Sequence, residues 1–333
     1  MMNFFLGNFP ATRLRRIRST PSMRELVQEN HLTVNDLILP LFIRESDAPW
    51  NIIELPDVRR YTVNELPEIL EKAQYLGIKC IALFPYVAKE LKNDDADEAL
   101  NPDNLVCRAI RQIKYHNPNM LIIADVALDP YTTHGHDGLL INNRIENDET
   151  ISVLCRQALT LCEAGADIIA PSDMMDGRIG AIRQLLDTQG YQDRLILSYS
   201  AKFASAFYGP FRNAVGVDSL KGLSDKKTYQ LSPFNRNEAM REVAQDIIEG
   251  ADMILIKPGL PYLDIVYQCA TEFSVPLFVY QVSGEYALYK SYPHPEAASN
   301  MLFESLISFK RAGAQAIFTY AAFEIAEKLK DNL

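Results

Sequence analysis

Eight short apolar runs, at residues 37–43, 80–84, 121–126, 167–170, 195–198, 253–256, 276–280 and 316–320, recur along the chain with no polar alternation inside them. A strand with one wet face alternates in polarity, so runs of this kind predict parallel strands covered on both faces. Amphipathic stretches of helical period lie between them, at 65–76, 105–115, 150–164, 179–186, 238–249 and 298–312. Four helix-to-strand junctions place a glycine just before the run: LGIKCIALF, AGADIIAP, EGADMILIK and AGAQAIFTY. Glycine adopts the left-handed conformation that closes a helix C-terminus, so the junctions read as copies of one βα unit. Eight such units over about 300 residues predict an α/β fold, a closed (β/α)₈ TIM barrel rather than an open doubly wound sheet. No GxGxxG or P-loop pattern follows any run, which weakens dinucleotide and nucleotide-triphosphate readings.

With 333 residues, 48% of them hydrophobic and 23% charged, the chain can bury a full core. The barrel is expected over 34–333, with residues 1–33 as an N-terminal arm. Exposed Phe4, Phe5, Leu6 and Phe9 would be costly in water, so the arm is expected to cover a neighbouring subunit. The segment from about 203 to 235 is too long for a plain βα connection, lacks a clear helix early on, and reads as an active-site lid. A net charge of -10 argues against nucleic acid as a partner, and the cluster Arg13, Arg15, Arg16 and Arg18 reads as a solvated or interface-forming arm. No run reaches the roughly 18 apolar residues of a membrane helix, and the opening lacks the order of a signal peptide. Five scattered cysteines fit reduced thiols in a cytoplasmic protein. Cys155 and Cys162 share a helix face, where core packing is the better reading than metal binding.

Barrel enzymes carry their reactive groups at the C-terminal ends of the strands. Polar residues gather at those ends here: Asp125 and Asp129, then Asp173 and Asp176, Lys202, Lys257, Ser283 and Tyr320. Lys202 closes LILSYSAK and Lys257 closes MILIK, on runs five and six, which would be neighbours. Adjacent strands lie about 4.8 Å apart, so the two amines should meet. A lysine near a second cation and withdrawn from water loses basicity, and a neutral amine can attack a carbonyl to form a Schiff base. Either lysine alone would more often be a snorkelling surface residue; the pair at equivalent strand ends points to chemistry. Asp173 and Asp176 could equally cap the helix that follows. The segment DVALDPYTTHGHDGLL, dense in Asp and His, could bind a metal or build Asx-turns.

Six ordered blocks, DVALDPYTTHGHDG, APSDMMDGRI, YSAKFASAFYGPFR, KKTYQLSPFNRNEAMRE, IKPGLPYLDIV and YQVSGEY, resemble the porphobilinogen synthase (δ-aminolevulinic acid dehydratase) family over nearly the whole chain. The resemblance implies an asymmetric condensation of two 5-aminolevulinate molecules to porphobilinogen, with loss of two waters, in tetrapyrrole (heme) biosynthesis. It assigns Lys257 to the substrate that supplies the propionate side and Lys202 to the one that supplies the acetate side. Ser283 and Tyr320 would bind the carboxylate at the Lys257 site; Arg212, Lys226 and Gln230, on the lid, would bind the other. Asp125 is the candidate for proton transfer. Zinc-dependent members carry three cysteines where this chain has Ala127, Asp129 and Asp137, so no zinc cysteine site is expected. Aspartate oxygens suit Mg²⁺ better, with Asp129 and Asp137 as possible ligands and Glu242 at the position of an allosteric Mg²⁺. The likeness thus extends to the cysteine-free, magnesium-responsive type, with no organic cofactor and a homo-oligomer, an octamer of arm-exchanging dimers. The rivals are an aldolase, which needs one amine, and a barrel that binds tetrapyrrole precursors without turnover.

Overall fold

A computed structural model describes residues 7–217, 220 and 222–331. Eight parallel strands form the barrel: β1 (Leu37–Ile43), β2 (Cys80–Pro85), β3 (Leu121–Val126), β4 (Ile168–Pro171), β5 (Leu195–Lys202), β6 (Met253–Lys257), β7 (Leu277–Tyr280) and β8 (Ala316–Phe318). Each pairs with the next, and β8 returns to β1 through Leu37↔Ile317 and Ile38↔Phe318, so the sheet closes. Eight helices surround it: α1 (Leu66–Tyr75), α2 (Leu105–His116), α3 (Asn147–Ala164), α4 (Arg178–Thr188), α5 (Arg236–Ile248), α6 (Leu263–Glu272), α7 (Pro295–Ala312) and α8 (Ala322–Asp331). The predicted barrel is therefore observed, and each expected run lies on one strand.

Burial explains the absence of alternation: all seven residues of β1 and all five of β6 are buried, because barrel interior and helical layer cover opposite faces of each strand. The four predicted glycine junctions have positive φ, at Gly77 (80°), Gly165 (111°), Gly250 (106°) and Gly313 (110°), conformations a Cβ would strain. One strand runs well beyond its apolar run, and β8 stops at Phe318, two residues short of the end expected for it. β5 continues four residues past Ser198, through a register irregularity between Ser198 and Ala201, so Lys202 is the last residue of the strand itself.

Phe4, Phe5 and Leu6 of the expected arm lie outside the described residues. The rest of it, with a 3₁₀ turn at Leu14–Arg18 and a helix at Pro21–Leu26, buries no residue in either element, and Phe9 is 75% exposed. Two insertions decorate the C-terminal rim. An antiparallel hairpin (Leu139–Ile141 with Arg144–Glu146) follows β3. After β5 comes the long segment, and here the expectation of no early helix is corrected. A 3₁₀ turn (Ala206–Tyr208) leads into a short helix, Gly209–Ala214, whose Pro210 is tolerated because first-turn amides need no helical acceptor. Arg60 Nε donates to the Ala214 carbonyl (2.7 Å) and Lys92 Nζ to that of Gly216 (3.0 Å), fastening the far end of this helix to the rim. The segment returns where it left: Leu231 N donates to the Lys202 carbonyl and Ala204 N to that of Leu231.

Candidate active site

The two lysines meet as their strand positions require. Lys202 and Lys257 are direct register partners in the β5–β6 ladder, so both side chains leave the same end of the barrel on adjacent strands. Both are buried, yet their surroundings differ. Lys257 Nζ lies over four aromatic rings, those of Tyr280 (4.4 Å), Phe211 (4.7 Å), Tyr199 (5.1 Å) and Tyr208 (5.5 Å). Lys202 Nζ instead donates to Asp137 Oδ1 (3.0 Å) and to the Ser172 carbonyl.

Electrostatics follows from this placement. Burial, and then the neighbouring Lys202 charge, push the Lys257 amine down to about 7, so a large fraction is neutral at ordinary pH. Burial pushes Asp125 up to about 7 against the pull of Lys202, and its Oδ1 is enclosed without a hydrogen-bond partner. A carboxyl poised near neutrality beside an amine poised near neutrality can exchange protons with little driving force, which suits acid–base work. Asp137 is the opposite case: burial opposes its charge, but the Lys202 and Lys226 amines outweigh that and hold its carboxyl well below the usual range.

The structure gathers the predicted residues in two groups. Asp125, Asp129, Asp137, Lys202, Lys257, Arg212, Lys226 and Gln230 all line one cavity of about 30 Å³, room for about one water. Lys226 reaches it from the long segment and bridges Asp129 (3.1 Å) and Asp137 (2.8 Å). Ser283 and Tyr320 stand behind the aromatic wall instead. The Ser283 hydroxyl accepts the backbone N–H of Phe211 (3.0 Å), and the Tyr320 hydroxyl is hydrogen-bonded to that of Tyr280 (3.1 Å). Phe211 also packs on Phe42 and Phe84, while its ring lies under the Lys257 amine and its backbone N–H bonds Ser283.

Asp129 and Asp137 turn their oxygens to Lys226 and Lys202, and among the described residues no group of three His, Cys, Asp or Glu side chains could hold a metal ion. These aspartates do not fit a metal in this arrangement, because their oxygens are taken up by the two amines. Glu242 lies apart, half-buried on α5, lining a groove of about 460 Å³ with Asp176 and Glu238. Burial raises its pKa, and Asp246, Asp176 and Glu238 raise it further.

Neither aspartate of APSDMMDGRIG caps α4, whose N-cap is Gly177 with φ 80°. Asp173 is instead fully buried and pairs with Arg178 (3.5 Å), which also reaches Asp246 (3.4 Å). Asp246 in turn accepts from Ser198 Oγ (2.5 Å) on β5. Sequence reasoning missed this cluster, and it also missed Ser172, Tyr208 and Phe211. Phe211 adjoins Arg212 inside an already conspicuous block, YSAKFASAFYGPFR, and that adjacency was the available signal.

A closed barrel whose strand ends present two buried amines in unlike surroundings and a carboxyl near neutrality defines an enzyme that captures carbonyl substrates as Schiff bases. Comparison with known proteins narrows the class. A family model described as delta-aminolevulinic acid dehydratase matches residues 11–328. The delta-aminolevulinic acid dehydratase of Bradyrhizobium diazoefficiens is 50% identical, covering 96% of this chain and 91% of that protein; the one from Rhodobacter capsulatus is 47% identical, covering 96% and 97%. A crystal structure of the Toxoplasma gondii ME49 enzyme with its reaction product porphobilinogen superposes with a TM-score of 0.94 at 45% identity, covering 97% of this chain and 92% of that one. The chain belongs to the delta-aminolevulinic acid dehydratase family, the porphobilinogen synthases, lyases whose product is porphobilinogen.

Proposed function

We propose that Lys257 and Lys202 each capture one 5-aminolevulinate through its ketone, and that the two bound molecules condense to porphobilinogen with loss of two waters. The observation that carries this reading is the register pairing of Lys202 with Lys257 on adjacent strands. The neutral Lys257 amine attacks the ketone carbon of the substrate that becomes the propionate side, and water leaves as the Schiff base forms. Lys202 holds the acetate-side substrate. Its amine is hydrogen-bonded to Asp137, and Asp125, poised near 7 and lining the same cavity, is placed to take part in the proton transfers. Ser283 and Tyr320 receive the carboxylate at the Lys257 site, while Arg212, Lys226 and Gln230 receive the other through charge-assisted hydrogen bonds. Because the cavity holds about one water, the segment at 203–235 must lift, withdrawing Phe211 from Ser283, to admit substrate. It therefore acts as a lid, and returning Lys226 to the cavity couples its closure to the second substrate.

The test is borohydride reduction in the presence of 5-aminolevulinate, followed by peptide mass analysis. Adducts are expected on Lys257 and Lys202, with turnover lost by at least about 10³-fold in both Lys257→Ala and Lys202→Ala. An aldolase working through Lys257 would keep much of its turnover in the Lys202→Ala chain.

Magnesium is proposed at Glu242 as a regulator. One carboxylate with several retained waters is a common way to hold Mg²⁺, and a cation there would relieve the crowding by Asp176, Glu238 and Asp246. The chain is further proposed to be of the cysteine-free magnesium type, to assemble as an octamer through its arm, and to work in the cytoplasm. No described helix is long and apolar enough to cross a membrane.

A further inference from the structure

Glu285 is a buried carboxylate that the chemistry above does not use. It lies two residues after Ser283 in the helix Ser283–Lys290 and is 3% exposed. A glutamate in the first turn of a helix ordinarily faces water. This one turns inward and accepts three backbone N–H groups, from Val282 (2.7 Å), Leu260 (2.7 Å) and Gly259 (3.2 Å). Burial pushes its pKa up to about 7, and the three donors oppose that rise.

The identity of the donors matters more than their number. Gly259 and Leu260 belong to the turn that leaves β6 directly after Lys257; Val282 immediately precedes Ser283. The carboxylate therefore joins the backbone carrying the reactive amine to the backbone carrying the proposed carboxylate-binding hydroxyl. The remaining contacts around the turn complete the clamp. The Lys257 carbonyl accepts from Phe203 N (3.0 Å) and Tyr208 Oη (3.1 Å), and a Cβ on Gly259 would lie 2.6 Å from the Phe309 ring. On the other side, a Cβ on Gly284 would lie 2.5 Å from the Phe207 carbonyl oxygen, so Ser283 is set by direct backbone contact with the lid.

We propose that Glu285 is a positioning residue that fixes the span between the Lys257 amine and the Ser283 hydroxyl to the length of one keto-acid substrate. Its effect is confined to the Lys257 subsite, because none of its three partners touches Lys202 or the Asp129–Asp137–Lys226 group. The inference rests on the assignment of Lys257 and Ser283 to one substrate.

The experiment measures, in the full-length chain, how much 5-aminolevulinate half-saturates borohydride-trapped adduct at each lysine separately. Glu285→Gln keeps the shape but turns an amide NH₂ toward donors that need acceptors. At Lys257 the half-saturating concentration is expected to rise at least about 10-fold, and at Lys202 to change less than about 3-fold, with KM rising more than kcat falls. Glu285→Asp keeps the charge but is too short to reach both backbone segments, and should shift Lys257 in the same direction by less. Equal shifts at both lysines in both variants, or no shift at either, would overturn the proposal, as would a Gln variant that does not fold. Absence of adduct at Lys257 in the unsubstituted chain would instead overturn the amine assignment beneath it.

Discussion

The two lysine amines face one cavity, yet their immediate neighbours are of opposite kinds. Around Lys257 the neighbours are rings, and burial together with the Lys202 charge lowers the basicity of its amine against the pull of the aspartates. Around Lys202 the walls are charges: Asp137 is shared with Lys226, which also holds Asp129. One set of neighbours disfavours charge on the amine, and the other ties its amine into a network of ion pairs. Two identical substrates captured as proposed would therefore meet chemically different surroundings on neighbouring strands.

The contrast can be broken most forcefully on the charged side. Asp137→Ala leaves two buried ammoniums without their shared anion, and removing one partner of a buried ion pair typically costs about 3–5 kcal/mol. Thermal or urea unfolding should show a loss of that size; a loss under about 1 kcal/mol would mean that the charges are solvated. The pH dependence sharpens the contrast next. Trapping at Lys257 needs the neutral amine, so it should rise with pH through a midpoint about 7. Lys202→Met removes a cation that lowers the Lys257 pKa, while the attraction of Asp125, Asp129 and Asp137 remains, so the midpoint should move upward by roughly one unit. An unchanged trapping midpoint would mean that burial alone tunes Lys257. The mildest probe lies on the aromatic side. Tyr280→Phe keeps the ring under the amine but deprives the buried Tyr320 hydroxyl of its partner, expected to lower stability by about 1 kcal/mol while leaving the Lys257 midpoint in place.

Much of this was legible in the sequence because it rests on local pattern. Strands buried on both faces show as unbroken apolar runs; Lys257 stands out because it ends one directly, and Lys202 because it closes LILSYSAK at the equivalent end of the preceding strand. Strand order then makes them neighbours. What stayed hidden is nonlocal. Asp137 meets Lys202 across 65 positions and Lys226 meets Asp129 across 97, and nothing near either aspartate distinguishes an ion pair from the metal ligand expected there. Asp173 reads as a cap beside a helix start, yet Arg178 takes it into the interior. Glu285 reads as an exposed helical glutamate because its partners lie 25 and 26 residues earlier, in a turn that sequence does not place beneath it. Phe211 is one more aromatic residue until the fold sets it between an amine and a serine.

The insertion after β5 stands with both feet side by side, since Ala204 and Leu231 bond to each other and Leu231 to the carbonyl of Lys202. The root is shared with Lys202 itself, so a substitution that displaces either foot should register at that side chain before it does on the far side of the barrel.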